Sequence, residues 1–150
     1  MKLEETLIIV ADLGELKVYK PIKHEAIVNG GRDLKISYSL ELLTDLDYIA
    51  THKKISDIVS DKAGNFKGGN VEDNKVEDEI ERRTLKDVAA DIENIVAHEK
   101  PKQLFLAFPK EMHPALMKEL SAETQALITK NLQADLVKEN KNKILDHFTA

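Results

Sequence analysis

The chain has 150 residues, about the length of one ordinary domain, and it can bury roughly 70% of the surface that its unfolded form would expose. It has no cysteine, which excludes disulfides, thiol nucleophiles, zinc knuckles and iron–sulfur ligation. Its formal net charge of −5 disfavours generic nucleic-acid binding, because a basic surface supplies most of the affinity in that case. We therefore predict a single domain over residues 1–150 that holds its core without a metal or a disulfide.

The apolar segments are too short for membrane insertion or export. The first apolar run, Leu7 to Ala11, is followed directly by Asp12 and is too short for the apolar region of a signal peptide. No later segment approaches the roughly 18 apolar residues that a membrane-spanning helix requires. These features predict a cytoplasmic protein without a membrane partner.

The N-terminal part of the chain shows the patterns of three β-strands. Thr6–Ala11 is a continuous apolar, β-branched run, which is typical of a strand that is buried on both faces. Asp12-Leu13-Gly14 predicts a tight turn in which Gly14 is available for a positive φ, and residues 15–20 alternate as a second strand. Residues 21–32 are interpreted as a connection that ends in a turn at Asn29-Gly30-Gly31, and residues 33–40 alternate as a third strand. We predict that the three strands form an antiparallel meander. No helix or strand is predicted for residues 41–70.

The C-terminal part alternates between helices and strands. Apolar residues at helical spacing predict a long helix over residues 73–99, and Pro101 ends it. A second continuous apolar run over residues 104–108 predicts a buried strand. A short helix follows from about residue 110, with Pro114 tolerated only in its first turn. Ser121 is the predicted cap of a helix over 122–128, residues 131–137 are a predicted strand, and residues 140–148 form a final helix.

This order predicts an α/β fold with one mixed five-stranded sheet and helices packed on it. The long helix connects the strand at residues 6–11 to the strand at residues 104–108, so these two strands are expected to be parallel neighbours. We predict the strand order 3-2-1-4-5, which is a ribonuclease-H-like arrangement.

Several short motifs, in order along nearly the whole chain, resemble one family. They are Ile9-Val10-Ala11-Asp12, Ile58-Val59-Ser60-Asp61-Lys62-Ala63-Gly64, Leu104-Phe105-Leu106-Ala107-Phe108-Pro109, Leu120-Ser121 and Asp135-Leu136. In this respect the chain resembles the bacterial host-attachment family, proteins required for attachment to host cells. That family looks like a bacterial branch of the middle domain of archaeal and eukaryotic peptide release factors.

The resemblance implies a functional loop before the long helix. In release factors a Gly-Gly-Gln tripeptide there positions a water for ester hydrolysis, whereas this chain has Gly68-Gly69-Asn70. The Asn side chain is one methylene shorter than Gln, and a displacement of about 1 Å can cost about 10²-fold in rate. We therefore interpret the protein as a non-enzymatic binder on this scaffold, with no cofactor. The same Gly-Gly-Asn sequence is also compatible with an ordinary surface loop.

The contact surface predicted for that binder is the segment 52–70. It is long, rich in glycine and locally basic, and its partner is expected to be the ribosome or another RNA-rich particle. The lysines would contact phosphates and the glycines would allow close approach. The predicted binding residues are Lys53, Lys54, Lys62, Lys67, Gly68, Gly69 and Asn70. A solvated loop followed by the acidic first turns of a helix accounts for the same charges.

Two alternative functions remain. A metal-dependent nuclease would need convergent carboxylates near the strand ends, and Asp12, Asp61 and Asp135 are the candidates for that metal site. An indirect role in attachment to host cells follows from the family resemblance. The five histidines lack the spacing of a helical metal site, and neither a nucleotide-binding glycine motif nor a G-x-S-x-G elbow occurs.

Overall fold

The computed structural model describes residues 3–53 and 70–149, with the side chains of the long helix described from residue 76 onwards. Residues 49–53 are helical. The remaining elements, in chain order, are β1 (Thr6–Ala11), β2 (Glu15–Val28), β3 (Asp33–Asp47), α1 (Asn70–Glu99), β4 (Gln103–Phe108), α2 (His113–Glu119), α3 (Ala122–Leu127), β5 (Ile128–Gln133) and α4 (Lys141–Thr149). None of the helices in the described part of the chain is long and apolar enough to cross a membrane.

The five strands form one mixed sheet, and the predicted order 3-2-1-4-5 is confirmed. β1 pairs antiparallel with β2 and parallel with β4, and β5 continues the sheet parallel to β4. β3 pairs antiparallel with β2. The buried strands β1 and β4 are therefore central, as their continuous apolar sequences predict.

A core cluster lies on each face of the sheet, because successive side chains of a strand point to opposite faces. Ile9 belongs to the first core cluster and Ile8 to the second. Helix α1 covers the first core cluster with Leu85, Val88, Ala89 and Ile92. Helix α4 covers the second core cluster, where the Phe148 ring stacks on Phe105 with centroids 5.4 Å apart. The sheet is thus enclosed by helices on both sides along its central strands.

The prediction of a connection over residues 21–32 is wrong, and so is the end of the third strand at residue 40. β2 continues through Pro21 to Val28, and β3 continues to Asp47. β1 pairs with β2 only as far as Tyr19, so Pro21 lies where β2 has lost one neighbour and a missing N–H is tolerated. The predicted turn is confirmed, with positive φ at Asn29, Gly30 and Gly31.

Two boundaries in the C-terminal part also differ from prediction. β5 spans Ile128–Gln133 rather than 131–137, because its partner β4 ends at Phe108, which pairs with Gln133. Helix α2 begins at His113 rather than near residue 110. Pro114 lies in its first turn, as required, because a proline deeper in the helix would clash with the preceding turn.

Candidate functional site

The carboxyl ends of the three parallel strands β1, β4 and β5 meet at one edge of the sheet. Ligand sites of open α/β sheets are found outside this edge. Asp12 directly follows β1, and Asp135 lies two residues beyond the end of β5. The candidate site is therefore built on this edge.

Asp12 closes the turn between β1 and β2. Its Oδ1 accepts hydrogen bonds from the backbone N–H groups of Gly14 (2.7 Å) and Glu15 (2.8 Å). A Cβ at position 14 would lie 3.3 Å from that oxygen, so the glycine allows the close approach. The expected positive φ is not found at Gly14. The glycine avoids a tight contact with Asp12 here, and no positive φ is involved.

The side chains of Asp135 and Asp12 lie in contact at this edge. Partial burial raises the pKa of Asp135 above its usual range, and the contact with Asp12 raises it further. The backbone N–H of Val137 donates to Asp135 Oδ1 at 3.1 Å, and this hydrogen bond lowers the pKa of Asp135. Because its pKa is raised, Asp135 retains its proton to higher pH than an isolated aspartate does.

A second carboxyl pair lies beside the first. The pKa of Glu15 is raised chiefly by a hydrogen bond with Asp45, then by burial and by the negative charges of Asp45 and Asp12. Lys17 lies near both pairs, with its Nζ 3.8 Å from Glu15 Oε2 and donating to the carbonyl of Val137 at 3.0 Å. We call Asp12, Glu15, Asp45 and Asp135 the carboxylate cluster. These two carboxyl pairs make this edge of the sheet acidic.

The base of the segment 52–70 is held at the same edge. The hydroxyl of Tyr48 donates to Asp91 at 3.0 Å and that of Thr51 donates to Asp87 at 2.7 Å, so both are tied to α1. His52 Nε2 lies 3.1 Å from the carbonyl of Leu13 in the β1–β2 turn. Burial, followed by the charge of Asp91, raises the pKa of Tyr48 well above its usual range. We call residues 48–52 the clamp; it fixes the point from which the segment leaves the sheet.

A shallow cavity of about 310 Å³ lies between the clamp and α1. Its acidic lining residues are Asp47, Asp87 and Asp91. A larger cavity of about 420 Å³ lies at the opposite edge of the sheet, next to Lys23 and Pro101. Lys23 is already in ion pairs there, with Glu4 at 3.6 Å and Glu25 at 3.2 Å. We place the candidate site at the edge formed by the carboxyl ends of β1, β4 and β5, because the carboxyl groups with raised pKa values lie there.

The residues predicted for binding are only partly described. Lys53 is exposed and follows the clamp, and Asn70 is the first residue of α1. The other predicted binding residues, Lys54, Lys62, Lys67, Gly68 and Gly69, lie outside the described residues, as does Asp61 of the alternative metal site.

The structure brings Asp12 and Asp135 together, as the alternative metal site requires. Within residues 3–53 and 70–149, no three His, Asp or Glu side chains converge as a metal site. Glu15, Lys17 and Asp45 were not predicted as site residues. The sequence pattern did not indicate Asp45, because the part of β3 that contains it was not predicted as a strand.

Comparison with known proteins identifies the family. A family model described as "protein required for attachment to host cells" matches residues 7–148. A comparison with curated proteins gives no match. The match includes β1 from Leu7, the other four strands, the carboxylate cluster and the clamp, so the chain belongs to the family of proteins required for attachment to host cells.

Proposed function

We propose that this host-attachment family protein is a non-enzymatic binding protein that contacts the ribosome, or another RNA-rich partner, through the segment 52–70. The observation that supports the proposal is the clamp, which attaches the beginning of this basic segment to α1 and to the β1–β2 turn. The segment ends where the 30-residue helix α1 begins. A binding segment held at both ends loses less conformational entropy when it docks.

The charges of the segment match a phosphate-rich partner. Four lysines stand against two aspartates between residues 52 and 70, in a chain with a net charge of −5. Affinity for nucleic acid arises largely from lysine and arginine contacts to phosphates. The cavity at the clamp, by contrast, is lined by Asp47, Asp87 and Asp91, which repel phosphates. The proposed contact is therefore confined to the segment itself and excludes its base.

The resemblance to release factors supports the same assignment. Gly68-Gly69-Asn70 immediately precedes the rest of the long helix, which is the position that the Gly-Gly-Gln tripeptide has in those proteins. A binder derived from such a domain would keep the ribosome contact and lose hydrolysis. A cytoplasmic location is part of this proposal, and a role in attachment to host cells would then be indirect, through synthesis of other proteins.

The test is co-sedimentation of the protein with ribosomes on sucrose gradients at low and moderate salt. We expect comigration that weakens as salt rises. Changing Lys53, Lys54, Lys62 and Lys67 to Ala should lower the fraction bound and flatten the salt dependence, by about 0.7–0.9 in logarithmic slope for each phosphate contact removed. The matched control changes four exposed lysines elsewhere, Lys86, Lys110, Lys118 and Lys141. A protein that remains at the top of the gradient at both salts, or a segment variant that binds like the control, contradicts the proposal.

The contact between Asp12 and Asp135 favours a second candidate, a metal-dependent nuclease. Two carboxylates beyond the ends of β1 and β5 are the beginning of a metal site, and Asp61 is the third ligand that this candidate needs. Thermal melting with Mg²⁺ or Mn²⁺ tests it, because a metal that binds the folded state raises the melting temperature. The nuclease hypothesis expects a rise that disappears in an Asp12→Asn, Asp135→Asn double variant. An unchanged melting temperature at millimolar metal removes this candidate and leaves the binding proposal intact.

A further inference from the structure

The hairpin formed by β2 and β3 extends far beyond the rest of the sheet. β1 pairs with β2 only up to Tyr19, whereas the pairing of β2 with β3 continues to Val28 and Asp33. We call residues 20–28 and 33–41 the arm. An isolated two-stranded hairpin is marginally stable in water. Pairing with a further strand would therefore stabilise the arm.

The free edge of the arm is β3. In the part of the chain that the structure describes, β3 pairs with β2 alone, so the other side of a 15-residue strand presents unpaired backbone groups. Its pairing with β2 is regular from Asp33 to Leu42, and the register shift comes only after that. Proline, a common protection of exposed edges, does not occur in β3. This edge is open to another strand.

One face of the arm is an apolar continuation of the second core cluster. Leu34, Ile36, Tyr38 and Leu40 alternate along β3 and share a face. Leu40 belongs to the second core cluster and is only 4% exposed, whereas Ile36 is 48% and Leu34 57% exposed. Ile27, which pairs with Leu34 across the hairpin, is 74% exposed. The apolar stripe thus leaves the core and runs uncovered along the arm.

The sequence of β3 is complementary to itself in one antiparallel register. When two copies are related by a two-fold axis at Tyr38, Lys35 of each copy lies opposite Glu41 of the other. Ile36 then lies opposite Leu40, and Ser37 opposite Ser39. Each of these pairs occurs twice, because a two-fold interface uses the same surface on both copies. In this register Lys35 and Glu41 are paired, Asp33 lies opposite Leu43, and the apolar faces of both copies lie on the same side of the joined sheet.

Neighbouring registers lack this match. An axis at Ser37 places Asp33 opposite Glu41, which are like charges. An axis at Ser39 places Lys35 opposite Leu43 and Glu41 opposite Ser37, so that neither charge has an opposite partner. A shift by one residue moves each side chain to the other face, so that the apolar side of one copy meets the polar side of the other. The register centred on Tyr38 is the one that satisfies both charge and hydrophobic pattern.

We propose that the free edge of β3 binds the β3 edge of a second copy of this chain, antiparallel about Tyr38, and joins the two five-stranded sheets into one. Leu34 of one copy then packs beside Leu42 of the other, and the row is completed by Ile27 and by Tyr19 of the second copy. The proposed dimer covers the apolar stripe and supplies backbone partners to the open edge. The proposed dimer does not involve the segment 52–70, so its test is independent of the test for ribosome binding.

The experiment is sedimentation equilibrium of the full chain over a wide concentration range. The wild type is expected to approach twice the chain mass of 16.9 kDa as concentration rises. Lys35→Glu and Glu41→Lys each place like charges opposite one another twice, and each should weaken dimerisation at least about tenfold. The double variant K35E/E41K restores opposite charges and should return to the affinity of the wild type within about threefold.

Mixing gives a further check on the register. Neither single variant should dimerise well alone. In an equimolar mixture, however, both acidic positions of the K35E copy lie opposite the basic positions of the E41K copy, so heterodimers should form. The control reverses Lys110 and Glu119, exposed charges outside the sheet, and should dimerise like the wild type. A wild type that stays monomeric overturns the proposal. So does a double variant or a mixture that, with unchanged circular dichroism, fails to recover the dimer.

Discussion

The carboxyl group of Asp135 shows how single residues shape the candidate site. Its pKa is raised by burial and by Asp12, so just above the usual pKa of an aspartate the folded chain binds more protons than the unfolded chain. The stabilising contribution of this group is therefore complete below its unfolded-state pKa. It is lost as the pH rises through the folded-state pKa. Glu15, whose pKa is raised by Asp45, acts in the same direction.

Replacement of Asp135 by Asn tests this account. The amide oxygen can still accept from the N–H of Val137, and the amide nitrogen can donate to Asp12 without a titrating proton. We expect Asp135→Asn to raise the free energy of unfolding at pH 7 by about 0.5 kcal/mol, a modest gain because the pair is partly exposed and screened. The gain should shrink toward pH 4, where the wild type carries the proton. Melting curves at both pH values measure it, and a difference that does not change with pH contradicts it.

Thr84 is a second residue with a specific prediction. It is fully buried on α1, and its Oγ1 has no hydrogen-bond partner among the described residues. Thr84→Val keeps the shape of the side chain and removes the unsatisfied hydroxyl. The free energy of unfolding should therefore rise by about 1 kcal/mol. Chemical denaturation measures the change. The control is Thr124→Val, in which the same substitution removes a buried hydroxyl that donates to Glu93 at 2.8 Å and should destabilise by about 1–2 kcal/mol.

At the scale of elements, α3 is a short helix that depends on its cap. Ser121 Oγ accepts from the N–H of Thr124 at 3.1 Å, which confirms the predicted cap, and it also donates to Glu93 of α1. The backbone N–H of Ser121 donates to the same Glu93 at 2.7 Å. Ser121 therefore caps the N-terminus of α3 and also connects α3 to α1 through its hydrogen bonds to Glu93.

Ser121→Ala should lower the free energy of unfolding by about 1–2 kcal/mol, because the helix loses its cap and Glu93 loses a donor. Urea denaturation followed by circular dichroism measures the loss. Ser121→Thr keeps the hydroxyl and should retain most of the stability. If the Thr and Ala variants lose the same amount, the hydroxyl is not what stabilises this junction.

At the scale of the whole molecule, β1 joins the two core clusters. Ile8 and Ile9 are both fully buried but face opposite sides of the sheet, toward α4 and α1 respectively. Ile8→Ala and Ile9→Ala should each cost about 2–5 kcal/mol, and unfolding should remain a single transition because the two clusters share this strand. Calorimetry is the measurement. Two separated transitions in either variant would mean that the faces of the sheet unfold independently.

Much of the architecture was predictable from local patterns. The apolar runs of β1 and β4 indicated central strands, and the helical spacing of residues 73–99 identified all but the first turn of α1. The strand order followed because a long helix between two buried strands favours a parallel crossover. These features depend on short-range periodicity, which a single sequence expresses directly.

The ends of the strands required the tertiary structure. β2 passes through Pro21 and β5 ends at Gln133 because of where β1 and β4 pair with them, which no local pattern reports. The carboxylate cluster likewise joins residues that are far apart in the chain. Asp12 was predicted from its place after the first strand, whereas Asp135 was predicted inside the last strand and lies two residues beyond the end of β5.

The sequence by itself determined the type of fold, the order of its strands and the absence of cysteine chemistry. Only the tertiary structure decided that Glu15 and Asp45 complete an acidic cluster and that the clamp holds the base of the segment 52–70. It also decided that the apolar alternation of β3 leaves the core and becomes an exposed edge. The physical reason is that periodicity reports which side of an element is apolar, whereas burial depends on which other elements reach that side.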